Sequence, residues 1–213
     1  MFGLEPSIAA KKTLVLFKEK NIKKIVELGA GLGRDTIFFA NNSIHVEALD
    51  YSSSAIKIIN EKAKKNNLLN LISAKNFDIR EKLPFDDNSI EACFSHMLYC
   101  MALSTSDLKN LNNEICRIIK PGGINVYTVR HIEDGDYKNG IHRGENLYEN
   151  DGFIVFQPSG YIFFASSFVT LGTIITSSPG FQSAGVAILC FAVLCIESIV
   201  LKISWKLRPV VIG

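Results

Sequence analysis

What this 213-residue sequence has least of is charge imbalance. Residues 1–158 carry equal numbers of basic and acidic side chains, and the formal +2 arises beyond them, where Lys202, Lys206 and Arg208 outnumber Glu197. A balanced front half gives no concentrated basic face, so nucleic acid is not an expected partner. The local run Lys57, Lys62, Lys64, Lys65 reads as the solvated side of a helix. Cysteines are few and unpatterned: Cys93, Cys100, Cys116, Cys190 and Cys195 form neither a CxxC pair nor an even disulfide framework. They read as buried, reduced thiols, and no metal site is expected. The N-terminus lacks the apolar core of a secretory signal, so the front half is expected to be cytoplasmic. Charge itself is missing from Ser159 to Leu201, apart from Glu197.

Short apolar runs alternate with amphipathic stretches along the front half. Helical spacing is expected over Ile8–Lys20, and a buried strand over Lys24–Leu28 that ends in a glycine cluster. A helix from Asp35 to Asn41 precedes a strand at Ile44–Leu49 that closes on Asp50. Ser52-Ser-Ser-Ala55 caps a charged helix reaching about Asn66, and a third strand, Leu71–Phe77, ends on Asp78. Ile90–Ser95 reads as a fourth strand. Ser106–Ile119 places Leu108, Leu111, Ile115, Ile118 and Ile119 on one face of a helix, which Lys120-Pro-Gly-Gly123 stops before a fifth strand at Ile124–Val129. This alternation implies parallel βαβ units with helices on both faces of a doubly wound sheet. His131–Asn150 reads as a long polar loop at the carboxyl edge, where substrate contacts commonly lie.

In such a sheet, ligands bind at the carboxyl ends of the strands. Three signals fall there. Gly29-x-Gly31-x-Gly33 allows a tight turn and close backbone approach, and the helix after it offers free N–H groups. Asp50 is an acceptor suited to two ribose hydroxyls. Asp78 with Ile79 could read an adenine amino group and cover its ring. A nicotinamide dinucleotide fingerprint would need glycine at position 34, where Arg34 stands.

The set Glu27-Leu-Gly-Ala-Gly-Leu-Gly-Arg34, Leu49-Asp50-Tyr-Ser52, Asp78, Leu83-Pro-Phe-Asp-Asp-Asn-Ser89 and Ile118-Ile-Lys-Pro-Gly-Gly123 resembles the ordered motifs of class I S-adenosylmethionine-dependent methyltransferases, particularly their small-molecule, "type 11"-like group. The resemblance covers about residues 22–130. It implies a Rossmann-like α/β fold with strand order 3-2-1-4-5 and S-adenosylmethionine as cofactor. It also implies that Glu27, Gly29, Ala30, Gly31 and Gly33 pass under the methionine moiety, Asp50 holds the ribose, and Tyr51 flanks the adenine. Asp78 and Ile79 would contact that ring, and Ser95, His96 and Met97 would line the site beside the sulfonium. Methyl transfer from a sulfonium needs mainly alignment and water exclusion, so no catalytic base is assigned. His96, Tyr99, His131 and His142 are the candidates by chemistry, each also readable as a packing or loop residue. The place after strand four reads Ser95-His-Met-Leu98 instead of the Asn/Asp-Pro-Pro-Tyr/Phe of amino-adenine methylases, which favours a small-molecule acceptor.

Beyond Phe156 the resemblance ends. The family's sheet carries two further antiparallel strands after strand five, and these look missing. Two uncharged runs stand in their place, Tyr161–Thr176 and Ala184–Leu201, with a basic end. Their length suggests a two-helix membrane hairpin, with membrane contact through residues 161–201, a buried extension of the domain, or a foreign tail replacing the strands. The expected division is therefore a methyltransferase domain at 1–156 and a hydrophobic, helical tail at 157–213. The functional expectation is methyl transfer to a small molecule, with an inactive, membrane-anchored cofactor-binding module as the rival.

Overall fold

A computed structural model describes residues 5–130, 138–150, 152–156, 172–176 and 186–192. The chain opens with α1 (Ile8–Glu19), β1 (Lys24–Leu28), α2 (Arg34–Asn41), β2 (His45–Asp50), α3 (Ser53–Lys65) and β3 (Ile72–Asn76). β4 (Ile90–Ser95), a one-turn 3₁₀ helix (Leu98–Cys100), α4 (Thr105–Ile118) and β5 (Ile119–Arg130) follow. The first five strands lie in the order β3-β2-β1-β4-β5 and pair in parallel, as the sequence implied.

Helices cover both faces. On one side α1, α2 and α3 bury Phe17, Phe39 and Ile59 against Ile25, Val46 and Phe94. Phe39 bridges this core, its ring centroid 5.7 Å from Phe17 and 5.0 Å edge-on from Phe94. On the other side α4 presents the apolar stripe its periodicity predicts, Leu108, Leu111, Ile115 and Ile118, to Val26, Cys93 and Tyr127. Each such side chain removed from water contributes about 1.5–3 kcal/mol before entropy is counted, which makes this stripe the reason α4 docks. A full capping box at Ser104 and Asp107 starts α4.

Three expectations are corrected. First, the sheet does not stop at β5. β9 (Gly172–Thr176) and β10 (Val186–Ala192) extend it in the order β5-β10-β9, with β10 antiparallel to β5 from Val186↔Arg130 to Ala192↔Ile124. The uncharged runs that suggested a helical tail thus include strands. A strand covered on both faces tolerates an unbroken apolar sequence, so absence of charge alone does not separate it from a membrane helix. No helix among the described residues is long and apolar enough to cross a membrane.

Second, 131–150 is not wholly loop. β6 (Ile141–Gly144), β7 (Leu147–Asn150) and β8 (Phe153–Phe156) form a separate antiparallel sheet. Asn150 pairs with Phe153, Gly152 takes a positive φ between them, and Gly144 and Glu145 take positive φ in the preceding turn. Third, the fifth strand begins at Ile119 rather than Ile124, with Lys120-Pro-Gly-Gly123 inside it. The register shifts there, between the pairs Ile90↔Ile119 and Ala92↔Ile124.

Candidate functional site

β1, β2 and β3 end side by side, and the residues singled out in the sequence gather at those ends. The glycine loop turns directly from β1 into α2: Gly29 and Ala30 both donate their N–H to the Leu49 carbonyl, at 2.9 and 3.1 Å. Gly33, the N-cap of α2, has φ +74°, and a Cβ there would lie 2.6 Å from Ile59. Gly31, with φ +55°, differs: a Cβ would meet nothing within 4 Å, so the loop's outer side opens on free space.

Asp50 ties the loop to the next element. Its carboxylate accepts from the Gly31 N–H at 2.7 Å and from the Ser52 N–H at 2.8 Å. An ionised carboxylate has acceptor capacity beyond two bonds. Asn76, at the end of β3, donates to the Tyr51 and Asp50 carbonyls, and Tyr51 projects with 73% of its surface exposed. Beneath the loop, Glu27 is buried and accepts a 2.5 Å bond from the Thr36 hydroxyl. Burial raises its pKa to about 8, the hydrogen bond from Thr36 opposing that shift.

Asp78 is gripped by Arg80, whose guanidinium meets both carboxylate oxygens, and this holds its pKa below the ordinary range. Ile79 is buried in the α4-side core beside Leu49 and Leu83. At the end of β4, Ser95 is buried and His96 half-buried. Met97 takes a left-handed φ of +64° and donates its N–H to the Thr128 hydroxyl at 2.7 Å, and the same hydroxyl lies 3.0 Å from His96 Nδ1.

Of the remaining base candidates, Tyr99 and His142 fall among the described residues. Tyr99 is 2% exposed and stacks on Tyr127 at 4.5 Å, and burial pushes its pKa well up. His142 is exposed in β6, bonded to the Glu145 carbonyl of its own hairpin. His131 lies outside the described residues. No group of His, Cys, Asp and Glu able to hold a metal occurs among the described residues.

Sequence reasoning missed Thr36, Thr128, Asn76 and the Ser7–Asp35 pair. In the last, the buried Asp35 carboxylate accepts from the Ser7 N–H and hydroxyl, each at 2.7 Å, pinning the start of α1 to the start of α2. Arg34 lies against the same carboxylate. Single polar residues carry no period, so only the tertiary contact reveals them.

A profile described as a methyltransferase domain matches residues 25–123, the stretch that holds this geometry. That stretch is a domain of the class I S-adenosylmethionine-dependent methyltransferase type. S-adenosylmethionine is the cofactor that goes with this domain. Over 107 residues the chain is 36% identical to phosphoethanolamine N-methyltransferase 1 of Triticum aestivum, covering 47% of this chain and 20% of that protein. It is 27% identical over 145 residues to 24-methylenesterol C-methyltransferase 2 of Arabidopsis thaliana, covering 62% of this chain and 38% of that protein. The chain thus spans well under half the length of these relatives. Among solved structures, PH0226 of Pyrococcus horikoshii superposes with a TM-score of 0.66 at 16% identity, over 87% of this chain and 89% of that one. The 4+2 cyclase SpnF matches equally well, with a TM-score of 0.66 at 16% identity over 87% and 81%. These two likenesses concern the fold alone, and one neighbour's name is that of a cyclase, so the chemistry must be argued from the site.

Proposed function

We propose that this chain binds S-adenosylmethionine at the carboxyl ends of β1–β4 and transfers its methyl group to a small-molecule acceptor. The observation that carries this reading is the Asp50 carboxylate bridging the glycine loop and the start of α3. It stands at the strand-two end with lone pairs to spare, beside a loop whose Gly31 faces open space.

In this reading the Gly29–Gly33 backbone passes under the methionine moiety, Asp50 accepts from ribose hydroxyls, and Tyr51 lies against the adenine. Asp78 keeps its place through Arg80 and contacts the same ring with Ile79, while Ser95 and His96 border the reacting centre. Bound S-adenosylmethionine would supply an electrophilic methyl on a sulfonium, which a lone pair on the acceptor displaces. The chain's own work is then alignment and exclusion of water. Buried Glu27, protonated at neutral pH by its raised pKa, braces the loop without adding a fixed charge.

The acceptor is a small molecule, and phosphoethanolamine heads the panel because the 36% relative is named for it. Calorimetric titration with S-adenosylmethionine and S-adenosylhomocysteine tests the binding. Formation of S-adenosylhomocysteine against a panel of amines, sterols and carboxylates tests the transfer. A folded sample that gives no heat with either cofactor form refutes the proposal; binding without turnover on any acceptor favours an inactive cofactor-binding module.

A further inference from the structure

The Thr128 hydroxyl sits where it decides what His96 can do. Thr128 is fully buried in β5, its oxygen already accepts the Met97 N–H, and the ring nitrogen of His96 that faces it is Nδ1. A hydroxyl has one hydrogen, and leaving it without an acceptor in the interior is costly. Among the hydrogen bonds of the described residues, Nδ1 is the acceptor placed to take it, at 3.0 Å. With Nδ1 accepting, the neutral ring must carry its proton on Nε2.

We propose that Thr128 is a positioning residue that holds His96 as the neutral Nε2–H tautomer, so that the histidine offers the site a hydrogen-bond donor and not a base. This rests on the methyltransferase reading for what the donor would meet. The acceptor that fits is one whose nucleophilic atom already has a free lone pair, or which carries an oxygen or nitrogen able to accept from Nε2. An acceptor that must surrender a proton during the transfer gets no help from this ring.

The surroundings agree. β5 supplies Thr128, and Met97 beside the histidine is fixed by the same hydroxyl. The charged groups His96 feels are Asp35 and Arg34 at the start of α2, which act on it in opposite senses. Burial outweighs both and favours the uncharged ring. Arg34 and Asp35 also pair with each other, which leaves little net field to charge the imidazole.

The test is a two-bond proton–nitrogen spectrum of the His96 ring in the full chain, for wild type, Thr128→Ser and Thr128→Val, across a pH series. Calorimetry with S-adenosylmethionine alone accompanies each sample. Wild type and Thr128→Ser are expected to show protonated Nε2 and bare Nδ1. Thr128→Val is expected to weaken that preference, so that Nδ1–H becomes detectable, with the apparent His96 pKa rising by about one unit, the worth of one hydrogen bond to the neutral form. Thr128→Ser separates loss of the hydroxyl from loss of packing. A wild-type ring protonated on Nδ1, or a folded Thr128→Val protein with neither a larger Nδ1–H fraction nor a raised His96 pKa, overturns the proposal. Absence of S-adenosylmethionine binding would instead strike the methyltransferase reading, since the tautomer is measured without any cofactor.

Discussion

At the scale of single residues, the glycine loop and the acids around it set the sharpest tests. Asp50→Asn keeps the shape but removes the charge that two backbone N–H groups and the proposed ribose hydroxyls share. Its affinity for S-adenosylmethionine is expected to fall at least about tenfold by calorimetry, equivalent to about 1.4 kcal/mol, with the fold retained by circular dichroism. Gly33→Ala forces a side chain into the left-handed region, at about 1–2 kcal/mol, and drives it toward Ile59, so a lowered melting temperature is expected. Glu27 makes a pH prediction whose sign follows from its raised pKa. Between about pH 4.5 and 8 the unfolded carboxyl is ionised while the folded one keeps its proton, so stability should decline as pH rises through that window. Glu27→Gln removes the titration and should flatten the profile of melting temperature against pH. A wild-type curve that instead rises between pH 5 and 8, with Glu27→Gln superimposed on it, would contradict the burial argument.

At the scale of elements, helix α1 depends on a contact far away in sequence. Asp35 accepts both the N–H and the hydroxyl of Ser7, which in turn caps α1 through the Ala10 N–H at 2.9 Å. Asp35→Ala would leave those donors buried with no acceptor and is expected to cost about 1.5–3 kcal/mol. Hydrogen exchange in α1 should quicken more than in α4, which has its own capping box. Most elements of the front half were legible because each carries its own periodicity: β1 and β4 fall where the apolar runs place them, and α4 buries the stripe its spacing marks. The β6–β8 sheet was not, since its strands are four residues each and β6 is wholly exposed, leaving no alternation strong enough to outweigh their polar surroundings. The site was legible in part: Glu27, the glycines, Asp50 and Asp78 stand out as strand-end residues. Thr128 looks like any strand threonine, and its role exists only because β4 and β5 lie side by side.

At the scale of the whole molecule, the strands drawn from beyond residue 156 matter most. β10 shields one side of β5, with seven paired positions from Ile124 to Arg130. Truncation after Phe156 crosses the boundary expected from sequence and would bare that edge, leaving a row of unpaired backbone groups. The truncated protein is expected to aggregate on size-exclusion chromatography and to melt at lower temperature than the full chain. If it stays monomeric and melts as before, β9 and β10 contribute nothing to stability. Sequence by itself marked the parallel strand–helix alternation and the glycine loop with its strand-end acids, because these are local chemistry, while the strand order followed from the family resemblance. Only the tertiary structure showed that Gly172–Thr176 and Val186–Ala192 pair as strands, and which tautomer is open to His96. An apolar segment pairs as a strand where an open sheet edge is there to receive it, and a histidine's proton is placed by whichever hydroxyl the fold sets beside it.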